Sequence, residues 1–414
     1  MRLTLAALFA LTSLAPAADT DWRAFRGNDG TATTSAKLPT KWDAKDNIAW
    51  KTDLPGAGTS TPVVIGDHVF VTCYSGYNVP GQPQGKQDDL KLHLCRLDRK
   101  TGKLDWTKDV KAKLPEQDKI RDGHGYASST PTADAERVYC FFGKTGVVAF
   151  DHAGKDLWTA DVGSALHGWG SAASLLLHDG LLIVNASVES ETLFALDVKT
   201  GKEVWNVKKV FESWNTPVLA KAGDRTELVL AINGKVLGLN PKTGKELWRC
   251  DTGIPAYMVP SIVVADGVAY VIGGRPAGGL AVKVGGSGDV TKTHRLWTSK
   301  KGSIVSSPVY SDGYLYWMGE NNETAFCADA KTGEVVYEER VPRAGQVYGS
   351  PVLADGKIYY PARDGKVHVV AAKPMFELIA SNTFGERGTF NSSPAVSGSQ
   401  LLLRTDKSIC CVGK

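Results

Sequence analysis

Three short segments gather the side chains of this chain best suited to chemistry. They read Gly123-His124-Gly125-Tyr126, His167-Gly168-Trp169-Gly170 and Glu212-Ser213-Trp214-Asn215. Each sets an imidazole or a carboxylate beside an aromatic ring, with glycine in the first two, where backbone must come close. Such a set suits a flat ligand stacked on indole and phenol faces and oriented by a few polar groups. His124 and His167 also raise joint metal ligation, although a rim histidine is more often the hydrogen-bonded partner of an aromatic. No nucleophile with a recognisable partner is present: Gly-x-Ser-x-Gly, His-Glu-x-x-His and Cys-x-x-Cys do not occur. Gly285-Gly286-Ser287-Gly288-Asp289 lacks the Lys-Ser/Thr and the following helix of a phosphate loop. It reads as a glycine-rich turn before a strand that ends at Trp297.

A repeat positions these segments. Its pattern is a Ser/Thr-Pro-Val start, an Asp-Gly turn, a β-rich run, and a tail Leu-Asp-x-Lys-Thr-Gly-Lys-x-x-Trp. Clear copies are Ser350-Pro351-Val352 with Asp355-Gly356, and Leu196 to Lys202 ending at Trp205. The terminal aromatics are Trp50, Trp106, Trp158, Trp205, Trp248, Trp297, Tyr337 and Phe376, spaced 39 to 56 residues apart. That period marks propellers and solenoids. In the corner, Asp bonds the turn backbone, Gly supplies a positive φ, and the Trp lays apolar surface between neighbouring units. Four short strands fit each period, in the seventh roughly 350–353, 357–361, 366–371 and 376–380, with no convincing helical period after the N-terminus.

A four-stranded meander cannot bury both faces alone, and packing around a ring solves that. Strand starts near Pro62, Pro131, Leu175, Pro217, Pro260, Pro308, Pro351 and Pro394 count eight blades. The last copy stops after its third strand, while Ile48-Ala49-Trp50-Lys51 is an orphan fourth strand ahead of the first. The expected fold is therefore all-β, an eight-bladed propeller of four-stranded antiparallel blades whose last blade is closed by the N-terminal strand. Residues just before each inner strand crowd one mouth of the axis. To the three segments above this adds Tyr257, Tyr348, Phe390 and Asn391. The ligand-binding candidates are thus His124, Tyr126, His167, Trp169, Glu212, Trp214, Asn215, Tyr257, Tyr348 and Asn391. Two inserts are expected at the same mouth: Tyr77 to Asp89 within blade one, and Asp109 to Asp122 leading into blade two.

Residues 1–17 read as a cleaved secretory signal peptide, with Arg2, an apolar run and Ala15-Pro16-Ala17. Residues 18–414 are expected to form one propeller domain, monomeric and located in a periplasm or outside the cell. No later stretch reaches transmembrane length. A formal charge of +4, from 48 Lys+Arg against 44 Asp+Glu, gives no footing for nucleic acid. Seven cysteines leave at least one unpaired. Cys73 and Cys95 fall on successive strands of one repeat and read chiefly as strand filling.

The tails resemble the tryptophan-docking motif of PQQ-like eight-bladed propellers, and Trp22-Arg23-Ala24-Phe25-Arg26-Gly27 resembles the opening of short exported members. That superfamily includes quinoprotein alcohol dehydrogenases and the BamB outer-membrane assembly factors. The resemblance implies two competing roles, because the fold hosts catalysts, binders and scaffolds alike. A PQQ-dependent oxidoreductase would hold Ca²⁺ on oxygen donors, for which Glu212, Asn215 and Asn391 are the right types. Its catalytic Asp has no counterpart in the mouth segments, and the adjacent pair Cys410-Cys411 falls in a third strand away from the mouth. The expectation is therefore a non-catalytic binding or scaffolding propeller with no cofactor, serving an envelope protein or a glycan partner. A carbohydrate stacked on Tyr126, Trp169 and Trp214 is the third reading.

Overall fold

The computed structural model describes residues 20–321, 323–385 and 389–414, so the expected leader, residues 1–17, lies outside the described residues. The described chain forms eight sheets, each built on four antiparallel strands. The inner strands are Val63–Ile65, Thr132–Ala133, Leu176–His178, Val218–Ala222, Val263–Ala265, Val309–Ser311, Val352–Ala354 and Ala395–Ser397. Each starts one residue past its expected position except in blade five. There Pro260 precedes the hydroxyl residue instead of following it, and the strand opens at Val263. Blade seven runs Val352–Ala354, Lys357–Pro361, Lys366–Ala371 and Leu378–Thr383. Its last strand thus starts two residues later than expected, and Phe376 packs on Tyr337 with ring centres 5.6 Å apart. The only described α-helices are single turns, Ser187–Ser190 and Thr291–His294.

Ring closure follows the expected route. Ile48–Asp53 pairs antiparallel with Ser408–Val412, setting Trp50 against Cys411 and Lys51 against Cys410. The N-terminal strand therefore supplies the missing edge of blade eight, and no unpaired ladder is left at the seam. A second N-terminal piece, Thr33–Thr34, adds a parallel fifth strand to blade seven. The whole ring encloses buried apolar side chains between facing sheets, from Val69 and Val71 in blade one to Leu402 and Cys411 in blade eight.

The corner motif works as chemistry. Asp98 Oδ1 accepts the Thr101 N–H at 2.7 Å and its hydroxyl at 2.6 Å, and Asp197 does the same for Thr200 at 2.8 Å each. These donors hold both carboxyls below the usual range. The glycine that follows presents a bare backbone to the indole of the preceding blade. Trp50 lies on Gly102, Trp106 on Gly154, Trp158 on Gly201, Trp205 on Gly244 and Trp297 on Gly333. Four of these indoles donate to a carbonyl of the same corner: Trp50 to Arg99, Trp158 to Val198, Trp205 to Pro241 and Trp297 to Ala330.

Trp248 departs from that geometry, for a visible reason. Blade five has no Thr-Gly corner; Gly288–Asp289 instead pairs in parallel with Glu246–Asp251 and widens blade four to five strands. The glycine-rich stretch is therefore an edge strand as well as a turn. Fully buried Trp248 folds back on its own blade against Gly238, and its Nε1 donates to Glu227 at 2.8 Å. Cys73 and Cys95 are free thiols with Sγ atoms 3.6 Å apart, and all seven cysteines are buried strand residues.

A Cβ at Gly201 would stand 2.4 Å from the Trp158 ring, at a backbone φ of +70°. Gly234 has nearly the same φ, +72°, and nothing within 4 Å. Gly201→Ala is expected to cost about 1–3 kcal/mol beyond the loss for Gly234→Ala, read as a lower thermal midpoint. Equal losses would show that indole docking does not constrain the corner.

Candidate functional site

A hydroxyl precedes every inner strand, and the reason is local. Proline removes the first strand N–H and holds the residue before it in extended backbone, so that residue's own N–H is the donor left facing the next blade. Facing blades share no backbone ladder, and a side chain must accept it. Thr61 N–H donates to Thr130 Oγ1, Thr130 to Ser174, and Ser174 to Thr216, each at 3.0 Å. Thr216 donates to Ser261 at 3.1 Å, Ser261 to Ser307 at 2.9 Å, Ser307 to Ser350 at 3.0 Å and Ser350 to Ser393 at 2.9 Å. Seven identical steps thus run one way round the axis. The eighth blade junction is made differently: Ser392 Oγ and Arg404 Nη1 both donate to Ser60 O.

The ring of hydroxyls is the waist of a cavity of about 150 Å³. Phe25 lines this cavity and also the groove beneath it, so its ring forms the floor between them. The segment carrying Phe25 is tied across the wheel. Trp22 exchanges two 2.9 Å bonds with Val64 of blade one, Ala133 N of blade two reaches Arg23 O, and Leu353 N of blade seven reaches Ala32 O. Arg26 Nη2 donates to Pro308 O of blade six at 2.6 Å. Burial of this guanidinium pulls its pKa down to about 9, an effect that Asp29 partly opposes. This strap therefore runs across the lower end of the funnel.

Above the waist the wall includes His124, Trp169, Trp214, Tyr257, Tyr348 and Asn391. Tyr257 is the hub, 5.4 Å from Trp169 and 5.3 Å from Trp214 between ring centres. Its loop is held to that of Trp214 by Met258 N to Glu212 O and Trp214 N to Met258 O. Trp214 Nε1 donates to Gly170 O at 2.9 Å. His124 Nε2 meets Trp169 O at 2.5 Å, which requires a hydrogen on Nε2, and Nδ1 meets Ser128 Oγ at 2.5 Å. Guanidiniums cap the rim. Arg275 lies 5.0 Å from the Trp169 ring and 4.6 Å from Tyr257, Arg121 lies 5.2 Å from Trp169, and Arg363 lies 4.3 Å from Tyr348. Asn391 Oδ1 is buried and meets no partner among the described residues.

The other four sequence candidates stand outside this cavity. Tyr126 packs on Tyr74 and Tyr77, donates to Gln117 O at 2.7 Å and accepts from Asn78. It thereby clamps the two inserts together, aided by Gln87, which reaches Glu116 O and Asp118. The second insert begins past Lys111, because Asp109 to Lys111 belong to the strand Leu104–Lys111. His167 packs on Trp214 with ring centres 5.1 Å apart and planes tilted by 60° and, with Glu212, lines a separate groove beside Leu166 and Phe211. Asn215 is fully buried, its amide donating to Ser213 Oγ, Ala231 O and Met258 O. Phe390 is buried against Phe384. Sequence reasoning missed Phe25 and the relay; the Ser/Thr at one phase of every repeat was the available signal for the latter.

The family model described as outer membrane protein assembly factor BamB matches residues 23–165, 93–274 and 233–374. The chain belongs to this family. No curated protein matches the sequence. BamB from Moraxella catarrhalis is a structural neighbour at 14% identity and TM-score 0.61, covering 89% of this chain and 99% of that one. A europium-containing methanol dehydrogenase stands at 13% and 0.65, covering 94% and 89%. The quinohemoprotein alcohol dehydrogenase from Comamonas testosteroni stands at 12% and 0.67, covering 95% and 81%. At these identities the likeness is one of fold.

Quinoprotein propellers raise the question of a Ca²⁺-held quinone, and the donors of this BamB-family chain do not fit one. Ca²⁺ takes 6–8 oxygens with carboxylates among them. Among the described residues the funnel wall holds no Asp or Glu, Glu212 points into another groove, and the Asn215 amide is consumed inside the fold. Among the described residues no three His, Cys, Asp or Glu converge as a metal group. Cys410 and Cys411 lie in the third strand of blade eight, remote from the mouth.

Behind the Trp169 loop, buried Glu189 accepts the Ser171 hydroxyl, and its backbone oxygen accepts Ala165 N. Burial raises its carboxyl from 4.5 to about 7, with the neighbouring Glu116 adding like charge. The folded pKa lies above the unfolded one, so the stabilisation is full below pH 4.5 and is lost as pH climbs through 7. The thermal midpoint is expected to fall across that window and to flatten in Glu189→Gln. An unchanged slope in the variant would remove Glu189 from the account.

Proposed function

We propose that this chain is an exported, non-catalytic propeller of the cell envelope that binds a ligand or partner protein at its axial funnel and surrounding loop face. One observation carries the reading. The funnel has rings to stack on and donors to orient a guest, and its only histidine is spent on protein partners. His124 Nε2 is held by Trp169 O, while Nδ1 is tied within one turn to Ser128. A general base must keep a nitrogen for the substrate proton. The sequence leader at residues 1–17 and membership of a family named for an outer membrane assembly factor support the envelope location.

Rigid walls and clamped inserts favour binding over closure around a substrate. The inserts at Tyr77 and after Lys111 are joined through Asn78, Gln87 and Tyr126, which leaves them as a fixed shoulder on the loop face. Purified mature protein is expected to show no dye-linked oxidation of alcohols or sugars when PQQ and Ca²⁺ are added, and no saturable quenching of tryptophan fluorescence by PQQ. Turnover above a denatured control would overturn the non-catalytic reading.

A further inference from the structure

We infer that the funnel is built for a small organic anion, with its charged end against the hydroxyl ring and its flat body on Trp169, Trp214 and Tyr257. This deepens the reading of the funnel as the binding site and rests on it. The argument starts from hydrogen counting. A hydroxyl carries one donor and two acceptor lone pairs. From Thr130 round to Ser393, each ring hydroxyl spends a lone pair on the N–H of the preceding blade. No described acceptor takes the hydroxyl hydrogens of these residues, which leaves an O–H from each blade to donate to a guest at the waist. All eight residues are buried, from 1% exposure at Thr61 to 8% at Thr216 and Ser393.

Each of these hydroxyls keeps one donor and one lone pair, and with no carboxylate in the wall among the described residues it is the donors that an ionised guest would engage, because hydrogen bonds to an ionised acceptor are about twice as strong as neutral ones. A cation would need anionic ligands, and the described wall residues supply none. The Asn391 amide, with its Oδ1 unpartnered among the described residues, adds a group that can turn its NH₂ to the same guest. At the rim, Arg121 and Arg275 lie face-on to the Trp169 ring, which leaves their charge at the opening to draw anions inward. A cavity of about 150 Å³, with Phe25 between it and the adjoining groove, suits a single-ring acid.

The test titrates the mature protein with benzoate, its neutral counterpart benzamide, and inorganic phosphate, by calorimetry and tryptophan fluorescence. Benzoate is expected to bind saturably, about tenfold more tightly than benzamide, the factor for one charge-assisted hydrogen bond. Thr61→Val removes the ring hydroxyl that accepts no neighbouring N–H, so it orphans no donor. It should weaken benzoate about tenfold and leave benzamide and the thermal midpoint unchanged. Arg275→Gln, an exposed change, should weaken benzoate at low salt and converge with the wild type at high salt. Benzoate that does not bind, benzamide that binds equally well, or benzoate affinity indifferent to Thr61→Val would overturn the inference. Phosphate competing as strongly as benzoate would overturn its organic part. None of these results is a turnover measurement, so each leaves the dehydrogenase assay above to judge the non-catalytic reading separately.

Discussion

The relay of backbone N–H onto the next blade's hydroxyl is the interaction on which the rest of the wheel depends. Blades of a propeller meet through side chains, so at the axis each polar backbone group must find a partner without a ladder. One net hydrogen bond contributes only about 0.5–1.5 kcal/mol, but a buried orphan N–H costs about 1–3 kcal/mol. The penalty for leaving a blade out of the relay is therefore larger than the gain for including it. That asymmetry explains why a hydroxyl stands at the seven accepting positions, including Ser174, which Leu175 follows in place of proline, and Ser261, which follows it. It also makes a polar waist unavoidable. The same residues that satisfy the backbone line the cavity, so its polar character follows from the closure of the fold.

Docking at the outer rim works under a second constraint that is looser. An indole settles on the Thr-Gly corner of the next blade only where the glycine leaves backbone bare. Where the corner is replaced, as in blade five, Trp248 turns back into its own sheet and takes Glu227 as its partner. Glu227 is fully buried and is shared with Arg225 and the Gly285 N–H. One lost corner is thus absorbed by a buried carboxylate, an extra strand pair and Gly238, with no change in the blade count. The seven accepting hydroxyls of the waist are less forgiving, because each backbone donor there has a single direction in which to point.

The architecture was legible because it repeats. Copies in phase expose the blade number, the strand starts and the closure by Ile48–Asp53, and a slip in one copy is corrected by its neighbours. The mouth was legible only in part, since loops before the inner strands differ in length and no second copy checks the reading. Trp169, Trp214, Tyr257 and Tyr348 fall in the wall, while Tyr126 turns to the inserts and Asn215 is drawn into the backbone of blade four. For Asn215 the difference is one residue from Trp214, enough to exchange the funnel for the core. Phe25 was invisible for a different reason. It lies in a segment outside the repeat, and its position follows from ties to Val64, Ala133, Pro308 and Leu353, which are far apart in sequence.

The floor formed by Phe25 also bears on what the funnel can do. An open axis would admit water from both ends, and a guest would then compete with bulk solvent for every hydroxyl. With Arg26 buried beneath the wheel and bonded to Pro308 O, the strap is anchored by a charge whose desolvation lowers its own pKa. Such a group is expensive to place and is tolerated where its hydrogen bonds hold a segment in one position. Closing the lower end lowers the local dielectric at the waist, which strengthens a donor ring toward an anion and penalises a guest that leaves the donors unmet. The selectivity by charge inferred above would need no catalytic residue and no moving lid. It would rest on seven relayed strand starts, the Phe25 strap and a rim whose guanidiniums lie on the aromatic rings of the wall.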